Sequence, residues 1–303
     1  MSIQVENITK LFGEQKALDD VTFSIHTGEV TGFLGPNGAG KSTMMKIITG
    51  LLTPSSGNAV VNDLPVREHS IDIRRQIGYL PENNPLYPDM YIREYLESVA
   101  GMYPIKNRKA RVEEMIELTG LTPELGKKIG SLSKGFRQRV GIAQALIHDP
   151  GVLILDEPTS GLDPAQLIEI RRLIQEVSRN KTVMLSTHIM QEVEAICNRV
   201  LIINKGRIVA DKDRSQFHAL RTDAPQLVRI ETQGEVTAEM LGSIDGVEQV
   251  EKTGESEWLL TGTTPEDIRP AIFRFAAENG FVLLTLQRET TTLEKVFLEV
   301  TGN

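Results

Sequence analysis

The run Gly35-Pro36-Asn37-Gly38-Ala39-Gly40-Lys41-Ser42-Thr43 combines three glycines, a lysine and two hydroxyls in the spacing Gly-x4-Gly-Lys-Ser/Thr. That combination grips phosphate. Glycines at Gly35, Gly38 and Gly40 permit positive φ angles and close backbone approach, so that amides converge on an anion. Lys41 has the reach to meet β- and γ-phosphate oxygens, and the Ser42 hydroxyl is placed to hold Mg2+. At average residue frequencies the four fixed positions recur in roughly one window in 10^4 to 10^5, so the loop is a specific signal for a nucleoside triphosphate. Asp156-Glu157 is a second group with chemistry. An aspartate at a strand end beside such a loop can hold the Mg2+ shell, and its neighbouring carboxylate can polarise water for attack on a γ-phosphate. A third stretch is Leu132-Ser133-Lys134-Gly135-Phe136-Arg137-Gln138. Ser133 has the chemistry of a helix N-cap, and Gly135 leaves the first-turn amides uncovered by any side chain, which makes a second anion-binding helix end.

These residues need strands and helices in a particular order to meet. The apolar run Val30–Leu34 predicts a strand entering the phosphate loop, and Thr43–Ile48 predicts a helix leaving it with its N-terminal dipole toward the anion. Val152–Leu155 is a continuous apolar run, the pattern of a strand buried on both faces of a parallel sheet, and Asp156-Glu157 follows it. Thr182–Ser186 repeats the theme after a helix expected over Gln166–Ser178. Alternation predicts half-buried strands at Ile3–Ile8 and Val21–Ile25. Shorter strands are expected at Asn58–Asn62 and Ile77–Leu80, and a hairpin joins Val200–Asn204 to Arg207–Ala210. From about Met90 to His148 the apolar spacing turns to three and four residues, notably over Ile92–Val99 and Val112–Leu118, which reads as a helical insertion.

A composition shift near Thr222-Asp223-Ala224-Pro225 marks a linker. Beyond it the pattern is strand (Gln226–Thr232), helix (Thr237–Leu241), strand (Val247–Thr253), strand (Glu257–Thr261), helix (Pro265–Asn279) and strand (Phe281–Gln287). A last helix is expected over Leu293–Val300. Thr264 before Pro265, with acidic residues in the next turn, reads as the helix start. That order resembles a ferredoxin-like α+β domain. It carries no metal-ligand cluster, no nucleophile arrangement and no basic stripe, and Trp258 reads as core.

Composition narrows the partners. The chain has 303 residues, 40% hydrophobic and 24% charged, ordinary for a folded protein with room for two domains. The net charge of −8, from 33 basic and 41 acidic residues, argues against a general nucleic-acid or acidic-membrane surface. The single cysteine, Cys197, fits a reducing compartment and reads as a small buried apolar side chain. No apolar run approaches the roughly 20 residues that span a bilayer, and the start MSIQVENITK lacks a signal-peptide core. The expected location is cytoplasmic, with no direct membrane insertion and any membrane link made through a partner.

The phosphate loop and the Leu-Ser-x-Gly-x-x-Gln stretch at Leu132–Gln138 together resemble the ATP-binding cassette (ABC) family, over at least residues 1 to about 215. Ser160-Gly161-Leu162-Asp163 is similar to that family's D-loop, with Asp163 at the nucleotide. His188, in Ser186-Thr187-His188, matches the switch histidine that senses the γ-phosphate, and Phe12 takes the place of the aromatic that stacks on adenine. The resemblance implies an α/β fold, a P-loop NTPase cassette with a mixed sheet and a helical subdomain at about 84–150. The cassette would span 1–222 and the small C-terminal domain 223–303. It further implies ATP and Mg2+ as cofactors and Glu157 and His188 as the catalytic pair. Gly35, Pro36, Asn37, Gly38, Ala39, Gly40, Lys41, Ser42, Thr43, Ser133 and Gly135 would contact nucleotide, and Ser42, Asp156 and Glu82 the metal. Two cassettes, as homodimer or heterodimer, would pair head to tail around ATP and drive a separate transmembrane permease subunit. The run Ile77–Tyr87 and the appended domain look most like ATPase subunits of bacterial export or gliding-motility-associated transporters. Most members of the family have glutamine at the position of Glu82; a carboxylate can still ligate Mg2+ but brings a negative charge near the γ-phosphate. A soluble ABC-type ATPase acting on nucleic acid or ribosomes is the competing class. The absence of sustained heptads between Lys41 and Asp156, the single phosphate loop and the acidic charge disfavour it. A third class, a nucleotide-gated binding subunit without turnover, is disfavoured by the Glu157 carboxylate.

Overall fold

The structure, a computed structural model, describes residues 1–213, 226–263 and 266–289. The chain divides into two compact units, Met1–Arg214 and Ser215–Asn303.

In the first unit, β1 (Ile3–Phe12), β2 (Gln15–Ile25), β4 (Ser56–Val61) and β5 (Leu64–Pro65) form an antiparallel sheet in the order β2-β1-β4-β5. Both long strands run further than their alternation predicts. Asn7 and Asp20 take positive φ angles of 49° and 55°, and the β1–β2 register shifts beside Asn7. Such bulges break the two-residue period without ending the strand. The second sheet contains β3 (Val30–Leu34), β6 (Ile77–Leu80), β7 (Val152–Asp156), β8 (Thr182–Thr187), β9 (Arg199–Asn204) and β10 (Arg207–Asp213), in the order β10-β9-β3-β8-β7-β6. Strand pairs from β9 through β6 are parallel and β10 is antiparallel, so the sheet is mixed as expected. Every residue of β3, β7 and β8 is buried.

Helix α1 (Lys41–Ile48) joins the two sheets. Met44, Met45, Ile47 and Ile48 share one core with Ile3, Val5 and Ala59 of the antiparallel sheet and Phe33, Ile154, Met184 and Leu201 of the mixed one. Around this core lie α2 (Ser70–Arg74), α6 (Pro164–Val177) and α7 (Met190–Ile196). A helical cluster forms from α3 (Ile92–Ala100), α4 (Arg108–Leu118) and α5 (Lys134–Leu146), with α5 packed on β6. Because β3, β6, β7 and β8 are parallel, the loops leaving them emerge at one edge of the sheet. That edge is where open α/β sheets bind ligands. The loops begin at Gly35, Pro81, Glu157 and His188.

In the second unit, β11 (Leu227–Gln233), α8 (Ala238–Gly242), β12 (Val247–Lys252), β13 (Glu257–Gly262), α9 (Arg269–Asn279) and β14 (Val282–Glu289) follow in the expected order. The antiparallel sheet order is β12-β13-β11-β14, that of a ferredoxin-like domain. Trp258 is core, packed with Ile230, Leu260 and Ile272. Helix α9 begins at Arg269, and the described residues 266–268 before it are not helical. The side chain of Asp267 accepts the Arg269 N–H at 3.1 Å, an end-group bond that competes with an earlier start. The linker at Thr222–Pro225, the start at Thr264-Pro265 and the helix over Leu293–Val300 lie outside the described residues. Among the described residues no helix is long and apolar enough to cross a membrane.

Packing of α5 on β6 depends on Gly78, where a Cβ would stand 2.2 Å from the Ala145 carbonyl oxygen. Gly78→Ala should therefore lower stability by about 1–3 kcal/mol. Urea denaturation checks this, and an unshifted midpoint would contradict the packing.

Candidate active site

The phosphate loop runs from Gly35 to Gly40, between β3 and α1. Gly38 and Gly40 have φ angles of 79° and 109°, as the nest requires. Gly35 does not; its glycine is demanded by space, since a Cβ there would lie 2.4 Å from the Ile203 carbonyl oxygen. Gly40 is constrained both ways, its Cβ position falling 2.6 Å from the Ala17 carbonyl oxygen. Lys41 opens α1 and turns its ammonium inward, donating to the carbonyls of Gly35 at 2.7 Å and Pro36 at 3.2 Å. The loop opens on a cleft of about 310 Å³, lined by Asn37, Gly38, Gly40 and Lys41 to Thr43, together with Glu82 and Glu157. Gln15 and Ala17 line it too, and nothing in their residue types announced that role. Pro36 flanks this lining and Ala39 is buried beneath it.

Asp156 and Glu157 sit at the end of β7. Asp156 is 1% exposed and accepts the Ser186 hydroxyl at 2.6 Å. The same hydroxyl oxygen accepts the Glu157 N–H at 2.9 Å. Ser186 thus ties the end of β8 to both carboxylate residues. Glu157 has a φ of 51°, a conformation that costs a non-glycine residue free energy and is held where surroundings over-determine it. Its Oε2 lies 2.9 Å from His188 Nδ1. A carboxylate only accepts, so Nδ1 carries the hydrogen of that bond. Its Oε1 is buried without a hydrogen-bond partner among the described residues and stands 3.4 Å from the Lys41 ammonium.

Tyr79 on β6 supplies a group that sequence reasoning passed over. Its hydroxyl is buried without a hydrogen-bond partner among the described residues. Burial first, then the charges of Asp156 and Glu82, push its pKa above the usual tyrosine value, so it remains a hydroxyl at physiological pH. The aromatic gave no signal, because only β6–β7 pairing brings it beside Asp156.

The remaining expected site residues stand elsewhere. Ser133 caps α5, its hydroxyl accepting the Phe136 N–H at 3.3 Å. Gly135 is not left open to solvent; a Cβ there would meet the Gln166 side chain at 2.8 Å, so its glycine admits α6. Asp163 caps α6, accepting the Gln166 N–H at 2.9 Å. Phe12 ends β1, 51% exposed, with the Lys10 ammonium 5.2 Å from its ring centre. None of these four lines the cleft of this chain.

A nucleotide and its cation fit what is present: an amide nest, a lysine, an orphaned carboxylate oxygen, and carboxylates with a hydroxyl. Among the described residues no three His, Cys, Asp or Glu could hold a metal alone. Mg2+ suits such a site, since it binds through one or two carboxylates plus substrate phosphates.

A family model described as "ABC transporter" matches residues 18–160. A second, described as "AAA domain, putative AbiEii toxin, Type IV TA system", matches residues 128–194. The "Uncharacterized ABC transporter ATP-binding protein YhcH" of Bacillus subtilis (strain 168) is 34% identical, over 99% of this chain and 96% of its own length. The chain belongs to the ABC transporter ATP-binding proteins. "Nod factor export ATP-binding protein I" of Rhizobium sp. (strain N33) is 33% identical, over 100% of this chain and 97% of its own. Among solved structures, the dimeric post-hydrolysis ATP-binding cassette MJ0796 bound to ADP and Pi aligns with a TM-score of 0.65 and 28% identity. It covers 70% of this chain and 98% of that one. As an ABC subunit the chain binds and hydrolyses ATP.

Removing the Ser186 hydroxyl leaves a buried Asp156 oxygen without its donor. Ser186→Ala in this ABC subunit should cost about 1–3 kcal/mol. The urea midpoint measures it, and a loss below about 0.5 kcal/mol would show that the bridge stabilises little.

Proposed function

We propose that this chain hydrolyses ATP at the Lys41–Glu157 cleft and couples each cycle to a separate transmembrane subunit. The observation that carries this reading is Glu157 itself. One of its carboxylate oxygens is fixed by His188, and the other is buried beside the phosphate-loop lysine with no hydrogen-bond partner among the described residues. An orphaned carboxylate oxygen in a phosphate cleft is a base awaiting a water. In this reading Lys41 exchanges its bonds to Gly35 and Pro36 for β- and γ-phosphate oxygens, while the amides of Asn37 to Thr43 surround the β-phosphate. Glu157 Oε1 takes a proton from water as the water oxygen bonds to the γ-phosphorus, and the bond from that phosphorus to the ADP oxygen breaks. His188 holds Glu157 in line through Nδ1 and presents Nε2 toward the γ-phosphate. Ser42, Asp156 and Glu82 are the residues that would hold Mg2+, which neutralises phosphate charge. Phe12 stacks on adenine.

Ser133, Gly135 and Asp163 act from a second cassette, in a homodimer or a heterodimer, each ATP lying between one chain's loop and the other's α5. The dimeric MJ0796 cassette, over which this chain aligns at 98% of that chain's length, supports that arrangement. Residues 1–222 form the cassette, with the helical subdomain over about 84–150, and 223–303 the accessory domain. The permease meets the loop around Glu82–Tyr91 and the helical cluster, which places the subunit on the cytoplasmic face of the membrane. Export is the direction favoured by the Nod factor export relative, which aligns through both units; a gliding-motility-associated partner is the alternative within the same type.

Lys41→Ala should abolish ATP binding in a nucleotide titration, and undiminished affinity would remove the loop from the site. Glu157→Gln should bind ATP as well as the unaltered chain but release phosphate at least about 100-fold more slowly. Turnover near the unaltered rate would mean that another base acts. Glu82→Gln should shift the Mg2+ dependence of turnover, and an identical metal titration would take Glu82 off the metal.

A further inference from the structure

Glu192 has no part in the chemistry above, yet it is fully buried, at 0% exposure. It lies in the first turn of α7. Its Oε2 accepts the Thr187 hydroxyl at 2.6 Å, and its Oε1 accepts the Thr159 hydroxyl. Thr187 is the residue before His188, and its hydroxyl oxygen also accepts the Ile189 N–H at 3.0 Å. Thr159 stands two residues past Glu157, in the turn closed by the Ser160 N–H on the Glu157 carbonyl at 3.2 Å. Both threonines are at most 2% exposed.

Burying a carboxylate is costly unless its oxygens are satisfied. Among the described residues no cation pairs with Glu192, so two threonine hydroxyls carry that compensation. The two hydroxyls belong to different strand ends. One follows β7 and the catalytic carboxylate; the other ends β8, immediately before the histidine. A single carboxylate therefore spans the two segments that carry the Glu157–His188 pair. Its own position is fixed from below. Val193 and Ile196 anchor α7 in the core, and Gly32 lets the helix come close, since a Cβ at that position would lie 3.1 Å from the Val193 methyls. The Ser186 bridge sets the Glu157 backbone, while nothing in it restrains the side of the pair toward Thr159 and Ile189.

We propose that Glu192 is a positioning residue for hydrolysis, a buried clasp that sets the spacing between the Glu157 turn and the His188 strand end. It keeps His188 Nδ1 on Glu157 Oε2, and so keeps the other carboxylate oxygen aimed at water. The proposal rests on the hydrolytic reading of Glu157. The clasp acts on geometry after ATP is bound, so its loss lowers kcat rather than affinity. A displacement of about 1 Å at a catalytic group can cost on the order of 100-fold.

The test measures phosphate release by the full-length chain with MgATP, fitting kcat and KM, for Glu192→Ala, Glu192→Gln, Thr187→Val and Thr159→Val. Glu192→Ala and Thr187→Val should lower kcat about 10- to 100-fold with the KM for ATP within about threefold. Glu192→Gln keeps the shape and can bond both threonines, because a hydroxyl accepts as readily as it donates. It should restore turnover to within about fivefold of the unaltered chain. The Glu192→Ala/Thr187→Val double variant should be no slower than the worse single one, as expected of residues acting through one contact. Unchanged kcat in both single variants would overturn the proposal. So would additive losses, a Gln variant as slow as Ala, or kcat and KM falling out of range together with the thermal midpoint. If Glu192→Ala does not fold, the nearly isosteric Thr187→Val and Thr159→Val decide by the same kcat criterion. Failure of the parent reading looks different. The unaltered chain would release no phosphate, or Glu157→Gln would turn over normally, and the clasp would fall with it.

Discussion

Lys41 and Glu157 are 6% and 7% exposed, and their charged ends stand 3.4 Å apart at the end of a parallel sheet. Taking an ammonium and a carboxylate out of water is expensive, and their attraction repays it only with further hydrogen bonds. Lys41 finds them in the carbonyls of its own loop, and Glu157 in His188. One Glu157 oxygen is left without such a bond among the described residues. The pair is therefore incompletely satisfied where it lines the phosphate-loop cleft. A site optimised only for stability would have closed that deficit.

The rest of the first unit serves to hold that deficit in place. Helix α1 carries Lys41 and Ser42 and is fastened between two sheets by Met44, Met45, Ile47 and Ile48. Parallel pairing of β3 with β8, β8 with β7 and β7 with β6 then puts four loops on one edge. Polar bridges finish the alignment. Ser186 joins the end of β8 to Asp156 and Glu157, and Glu192 joins Thr159 to Thr187. Buried networks of this kind rigidify when every member is satisfied.

The glycines show how one residue type answers different constraints. Gly38 and Gly40 are there for backbone angle, as a phosphate nest demands. Gly35 and Gly135 are there for room, the first beneath the Ile203 carbonyl and the second against Gln166. Those last two reasons do not show in a one-dimensional pattern, since the crowding atoms lie far along the chain. Asp163 differs, since its carboxylate caps α6 through a bond to Gln166 only three residues along the chain. Its place in a motif says nothing of that bond.

Features that depend on near neighbours were therefore legible in the amino-acid order alone. The phosphate nest, the buried strands ending at Leu34 and Asp156, the Ser133 cap and the strand–helix order of the second unit all follow from local spacing and burial. Propensity and periodicity act over a few residues, so they survive as patterns in a single chain. What they could not give is register. Only pairing of β7 with β8 sets Ser186 against Asp156, and only the seating of α7 on β3 carries Glu192 to two threonines on separate strand ends. Helix α9 starts at Arg269 because the Asp267 side chain takes its N–H, a contest between local bonds that composition leaves open. Tertiary packing settled these matters because most depend on atoms distant in the chain coming within about 3 Å, and a hydrogen bond at that range leaves no periodic trace.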